Sequence, residues 1–210
     1  MKTISKEDLS KITPDQAIDL LKKGNERFIN NLRYNRNLLQ QVNETAEEQF
    51  PFASILSCID SRTPAEFIFD QGLGDIFSIR IAGNIVNDDI IGSLEFACKI
   101  ARSKLIVVLG HTNCGAIKGA CDEAQLGYLT QLLDKITPAI EQESSFKENR
   151  NGGNPAYVTE VTKINVDNSI KMILEKSSIL RELISKKNIK IIGGLYDIAS
   201  GEVTFFDEKV

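Results

Sequence analysis

Four short apolar runs, at residues 52–57, 76–81, 105–109 and 189–195, constrain this chain more than any other feature. They are brief, rich in Ile and Val, and bounded by turn residues, which is the pattern of strands buried on both faces. Between them, residues 64–69, 90–101, 115–123 and 170–186 have the composition and spacing of helices. Strands separated by helices require crossover connections, and those connections build a mostly parallel sheet with helices on both faces. Residues 203–206, which follow Gly201, suit a last antiparallel edge strand. The expected architecture is a single α/β domain with about four parallel strands plus that antiparallel edge strand, flanked by helices and preceded by an N-terminal helical arm.

The arm begins at Thr13-Pro14-Asp15-Gln16, where a capping residue, a proline at the first helical position and a Gln three residues after the cap start a helix. Ala17, Leu20, Leu21 and Phe28 give that helix one apolar stripe. Residues 30–48 are polar and read as an irregular connection. We therefore expect residues 1–48 to form an arm that packs on a partner subunit, and residues 49–210 to form the catalytic domain. A chain of 210 residues without a composition break holds one core. Its net charge of −4 offers no basic stripe for nucleic acid or for an anionic membrane. No apolar stretch reaches the roughly 20 residues of a spanning helix, and the first residues lack an apolar signal core, so the expected location is cytoplasmic. Residues 144–155, rich in Asn and Gly, read as an exposed loop.

Cys58-Ile59-Asp60-Ser61-Arg62 and His111-Thr112-Asn113-Cys114 follow the first and third apolar runs. Open α/β sheets place their chemistry at such strand ends. His111 is the only histidine in the chain. Two thiolates and one imidazole make three protein ligands for zinc and leave a fourth tetrahedral position for water or for a carboxylate such as Asp60. Arg62 is placed to hold Asp60 in a bidentate pair that keeps it ionised and prevents permanent ligation. Cys98 and Cys121 lie in helical patterns and read as small buried apolar residues.

These residues carry a family resemblance. Ser57-Cys58-Ile59-Asp60-Ser61-Arg62-Thr63-Pro64, Asp70-Gln71-Gly72-Leu73-Gly74-Asp75, Arg80-Ile81-Ala82-Gly83-Asn84 and Gly110-His111-Thr112-Asn113-Cys114-Gly115 together resemble a β-class carbonic anhydrase. Gly24-Asn25-Glu26-Arg27-Phe28 and Gly193-Gly194-Leu195-Tyr196-Asp197 add weaker similarity. The resemblance implies one zinc ion per subunit on Cys58, His111 and Cys114, with Asp60 and Arg62 as a catalytic dyad. It further implies a homodimer, or a dimer of dimers, with active sites at the subunit interface. The implied activity is reversible hydration of carbon dioxide to bicarbonate and a proton by zinc-bound hydroxide. It places Gln49, Phe77, Ala82 and Phe96 around the substrate, and Gly115, at a helix start after the last ligand, offers a backbone N–H to an oxyanion there. Ile55 stands where family members with a regulatory bicarbonate site carry tryptophan, which argues against that site although Arg80 matches its arginine. Two other readings stay open: hydrolysis of carbon disulfide or carbonyl sulfide on the same scaffold, and a non-catalytic module that binds bicarbonate or zinc.

Overall fold

The structure is a computed structural model that describes residues 3–206. Ser5 and Thr13 each close a capping box, with Asp8 and Gln16 respectively, and so start α1 (Lys6–Lys11) and α2 (Pro14–Ile29). Asn37 caps a short α3 (Leu38–Glu44) inside the stretch expected to be irregular. Strands and helices then alternate: β1 (Ala53–Ser57), α4 (Ala65–Ile68), β2 (Ile76–Arg80), α5 (Asp88–Glu95), β3 (Leu105–His111) and α6 (Gly115–Cys121). After α6 come α7 (Gly127–Leu133), α8 (Thr137–Gln142), α9 (Pro155–Lys176), α10 (Ser178–Ser185), β4 (Lys190–Tyr196) and β5 (Val203–Phe205).

The five strands lie in the order β2-β1-β3-β4-β5. The first four are parallel and β5 runs antiparallel to β4, as the alternating pattern predicts. β1 and β3 sit in the middle and every one of their residues is buried. Successive residues of β1 face opposite layers. Ile55 packs with Leu21, Phe69 and Leu109 under α2, whereas Leu56 packs with Leu94, Val166 and Leu180 under α5, α9 and α10. A third cluster, built on Ile117, Ile136, Tyr157 and Val161, lies against Cys58 and Cys114.

Besides α3, two expected helices depart from their bounds, and the one expected over 90–101 is α-helical only to Glu95 and continues as a wider π turn over Phe96–Ile100. The helix expected over 170–186 is two helices, and the first starts at Pro155. Its buried face carries Thr162, Asn165 and Ser169 among the apolar residues, which breaks the pattern that marks a helix start. Ser177 ends this helix and caps the next. Leu9, Ala17, Ile18 and Leu21 belong to the same cluster as Phe52, Ala53 and Ile55, so α1 and α2 rest on the chain's own sheet. Leu32, Leu38, Leu39 and Val42, beyond α2, remain exposed. Among the described residues, no helix is long and apolar enough to cross a membrane.

Candidate metal centre

β1 ends at Ser57 and β3 at His111, so adjacent parallel strands deliver Cys58 and His111 to the same C-terminal end of the sheet. Asn113 takes a left-handed backbone, φ 57°, and the tight turn returns Cys114 to the start of α6. The ligand atoms of Cys58, His111 and Cys114 all lie within 4.8 Å of one another, and all three residues are buried. The two sulfurs are 3.9 Å apart. Two thiolates about 2.3 Å from one tetrahedral zinc would stand ~3.8 Å apart. His111 Nδ1 lies 2.9 Å from the Thr112 carbonyl, which can only accept, so Nδ1 carries the proton and Nε2 presents its lone pair. Nε2 is buried and has no partner. An orphaned imidazole nitrogen facing two thiols is a donor set that fits zinc.

Each sulfur has its own backbone donors. Gly83 N–H points at Cys58 Sγ from 3.4 Å, while Ala116 and Ile117 in the first turn of α6 donate to Cys114. The hydrogen bond between the sulfurs is the largest influence on both thiols: it pulls Cys58 down and pushes Cys114 up, so the pair readily holds one thiolate. Cys98 and Cys121 stand outside this arrangement. Burial pushes them up to about 12 and about 11, which keeps both as neutral thiols.

Asp60 meets Arg62 three times. Arg62 Nε and Nη2 donate to its two oxygens at 2.9 and 2.7 Å, and the Arg62 backbone N–H adds a bond of 2.9 Å. This guanidinium holds the Asp60 carboxyl well below the usual carboxylate range. Asp60 Oδ2 lies 4.0 Å from His111 Nε2. The loop carrying Cys58 and Asp60 is tied down from two sides. Thr63 Oγ1 donates to the carbonyls of Cys58 and Asp60 at 3.2 and 2.9 Å, and Arg80 donates to the same two carbonyls. Arg80 ends β2 opposite Ser57, so its register is the signal that places it there. Ile55 is wholly buried in the core, and the Arg80 donors are engaged by that loop.

The residues expected around the substrate separate into two groups. Ala82 opens the turn that carries Gly83, and Gly115 opens α6 with open space beside its Cα, so both border the ligand cluster. Gln49 does not. It lies before β1, in a cavity of about 770 Å³ shared with Lys6, Phe50 and Lys104 at the opposite end of the strands. Phe77 and Phe96 pack edge to face, ring centres 6.3 Å apart, between β2 and the turn that follows α5. Phe77 pairs with Ser54, three residues short of the Ser57–Arg80 level and so ~10 Å down the strand.

The carbonic anhydrase family profile matches residues 53–203. Carbonic anhydrase 2 of Mycobacterium tuberculosis is 32% identical over 200 residues, covering 92% of this chain and 93% of that protein. A carbonic anhydrase of Mycolicibacterium smegmatis is 32% identical over 197 residues, covering 90% and 92% respectively. Among solved structures, the β-carbonic anhydrase CafA of Aspergillus fumigatus superposes with a TM-score of 0.70 at 26% identity, covering 80% of this chain and 81% of that one. Tetrameric β-carbonic anhydrases of Sordaria macrospora share the fold, with a TM-score of 0.68 at 24% identity and coverage of 80% and 90%. With a mostly parallel sheet that brings Cys58, His111 and Cys114 together at the C-terminal ends of its central strands, and with relatives that match along most of its length, the chain belongs to the β-class carbonic anhydrases.

Proposed function

We propose that Cys58, His111 and Cys114 hold one zinc ion per subunit, and that the chain catalyses reversible hydration of carbon dioxide to bicarbonate and a proton. The observation that carries this reading is the meeting of three zinc-type donors within 4.8 Å beside a carboxylate that Arg62 keeps ionised. When bound, zinc supplies a Lewis acid with one exchangeable position, where the pKa of water falls to about 7. Asp60 accepts a hydrogen bond from the attacking water and turns its lone pair toward the carbon. Arg62 occupies both Asp60 oxygens, so the carboxylate stays beside the exchangeable position. Asp60 Oδ2 is 4.0 Å from His111 Nε2, near enough to meet a water held beside that nitrogen. Gly115 N–H is offered to the oxygen that gains charge, and Ala82 walls the near side. His111 is the only histidine, so the released proton passes to buffer or a surface carboxylate.

The proposal extends to a homodimer, or a dimer of dimers like the tetrameric Sordaria proteins. Gln49, Phe77 and Phe96 do not meet the ligand cluster within one chain, so a second copy would have to bring them to the substrate. Exposed Leu38, Leu39 and Val42 of α3, with Phe67 and Phe96, give that copy an apolar surface to cover. The remainder of the arm would pack there. A site built on two thiolates suits the reducing cytoplasm.

Stopped-flow hydration with zinc quantified in the same sample tests the reading. One zinc per chain is expected, with activity lost on chelation or in Cys58→Ala. Full activity after either treatment, or stoichiometric zinc without hydration from about pH 7 to 9, overturns it. Faster turnover of carbonyl sulfide or carbon disulfide on that preparation would reassign the substrate.

A further inference from the structure

Cys58 Sγ has two backbone donors, Asp60 in its own loop and Gly83, and the Gly83 N–H comes from an unusual turn. The turn spans Ala82–Asn84, closed by a bond of 3.0 Å from Asn84 N to Ile81 O, and its last two residues are both left-handed, with φ 66° at Gly83 and φ 42° at Asn84. Gly83 tolerates this backbone freely. Asn84 is one of the few other residues that adopts it, and at a cost. A Cβ at Gly83 would come within 2.9 Å of Ile136 Cδ1, so the turn is also packed from outside.

The turn is held by α9. Asn165 Nδ2 donates to the Gly83 carbonyl at 2.9 Å, and Ser169 Oγ donates to the Asn84 carbonyl at 3.2 Å. Four residues apart, the two side chains lie one above the other on a single helix face. They are only 3% and 5% exposed. Asn is a poor choice for a helix interior, and a buried polar side chain there is costly unless its bonds are made. These two make theirs to consecutive carbonyls of the turn whose amide faces Cys58.

Taking Cys58 as a metal ligand, as proposed above, we infer that Asn165 and Ser169 are positioning residues that hold the Gly83 N–H on Cys58 Sγ and thereby set how tightly the site retains its metal. Neither touches substrate or metal. Partners behind a ligand commonly change metal affinity 10- to 100-fold when removed, and an N–H donor lowers the energy of the sulfur lone pairs.

The test uses the full-length, zinc-loaded protein in competition with a chromogenic chelator, and the cobalt-substituted protein for its thiolate-to-cobalt absorption band. Asn165→Leu keeps the size of the side chain and removes the donor. It should weaken zinc binding about 10- to 100-fold and move the cobalt band to longer wavelength. Ser169→Ala should weaken binding about 3- to 10-fold, and it carries the test alone should Asn165→Leu not fold. Thr162→Val is the control. Thr162 is fully buried on the same helix but bonds only to its own helix, at the Val158 carbonyl, so its affinity and band should match the wild type. Unchanged affinity and band in both test variants, or an equal loss in Thr162→Val, overturns the positioning role. A wild-type protein that binds no metal overturns the ligand reading, and the inference with it, which is a different result from losses confined to the variants.

Discussion

Arg62→Gln isolates the Asp60–Arg62 pair. The change removes the two guanidinium bonds at 2.9 and 2.7 Å and leaves only the backbone N–H of residue 62 on Asp60 Oδ1. The carboxylate then has one oxygen free, 4.0 Å from His111 Nε2. Without the guanidinium that oxygen would be free to swing toward the nitrogen and the metal it would hold. Asp60 would therefore compete with water for the exchangeable position and lose its orienting role, a combination that should lower kcat/KM for hydration about 100-fold or more near pH 7. The Asp60 carboxyl would rise from its depressed value toward an ordinary ~3.9, still far below the assay pH, so the loss would not come from protonation. Arg62→Lys should retain part of the activity, because a single ammonium cannot bridge both oxygens. Stopped-flow hydration of zinc-loaded variants measures this, with the melting temperature followed in parallel. Arg62 is half exposed, so little stability should be lost. Activity of Arg62→Gln within a few-fold of wild type would refute the gating role, as would a loss explained by unfolding.

Two further predictions concern carboxylates away from the centre. The Asp70 side chain is 2% exposed and paired with Arg27 and Arg36, and these guanidiniums hold its carboxyl below the usual range despite burial. Asp70→Asn should cost about 3–5 kcal/mol at pH 7, measured by denaturant unfolding; because the folded-state value is depressed, the gap should narrow as pH falls below about 4. Asp75 is the opposite case: burial pushes its carboxyl up, and its Oδ1 has no partner. Its raised folded-state value means that stability is lost as pH rises above the ordinary carboxyl value, so Asp75→Asn should gain on the wild type as pH climbs from about 4, and a gap that stays flat would contradict this.

The sheet was readable because β1, β3 and β4 are short, rich in Ile, Leu and Val and almost wholly buried, and the order of strands and crossovers leaves few topologies. Cys58, Asp60, Arg62, His111 and Cys114 could be singled out because they follow two of those strands directly. What stayed hidden depends on distant contacts. Asn165 and Ser169 dilute the apolar face of α9, and the same two residues conceal both the start of that helix and its link to Gly83, which is 82 positions from Asn165 along the chain. Nothing local marks Arg80 as the donor that ties down the Cys58 carbonyl; only its position opposite Ser57 does. Ala17 and Leu21 gave an amphipathic helix without its destination, since an apolar stripe does not say which sheet it will cover.

X-ray absorption at the zinc edge of the loaded wild-type protein tests the central claim most directly. Two sulfurs near 2.3 Å, one imidazole nitrogen near 2.0 Å and a single further light atom are expected for Cys58, Cys114, His111 and an exchangeable position. Three or four sulfurs, which would bring in Cys98 or Cys121, or zinc with no sulfur at all, would contradict it.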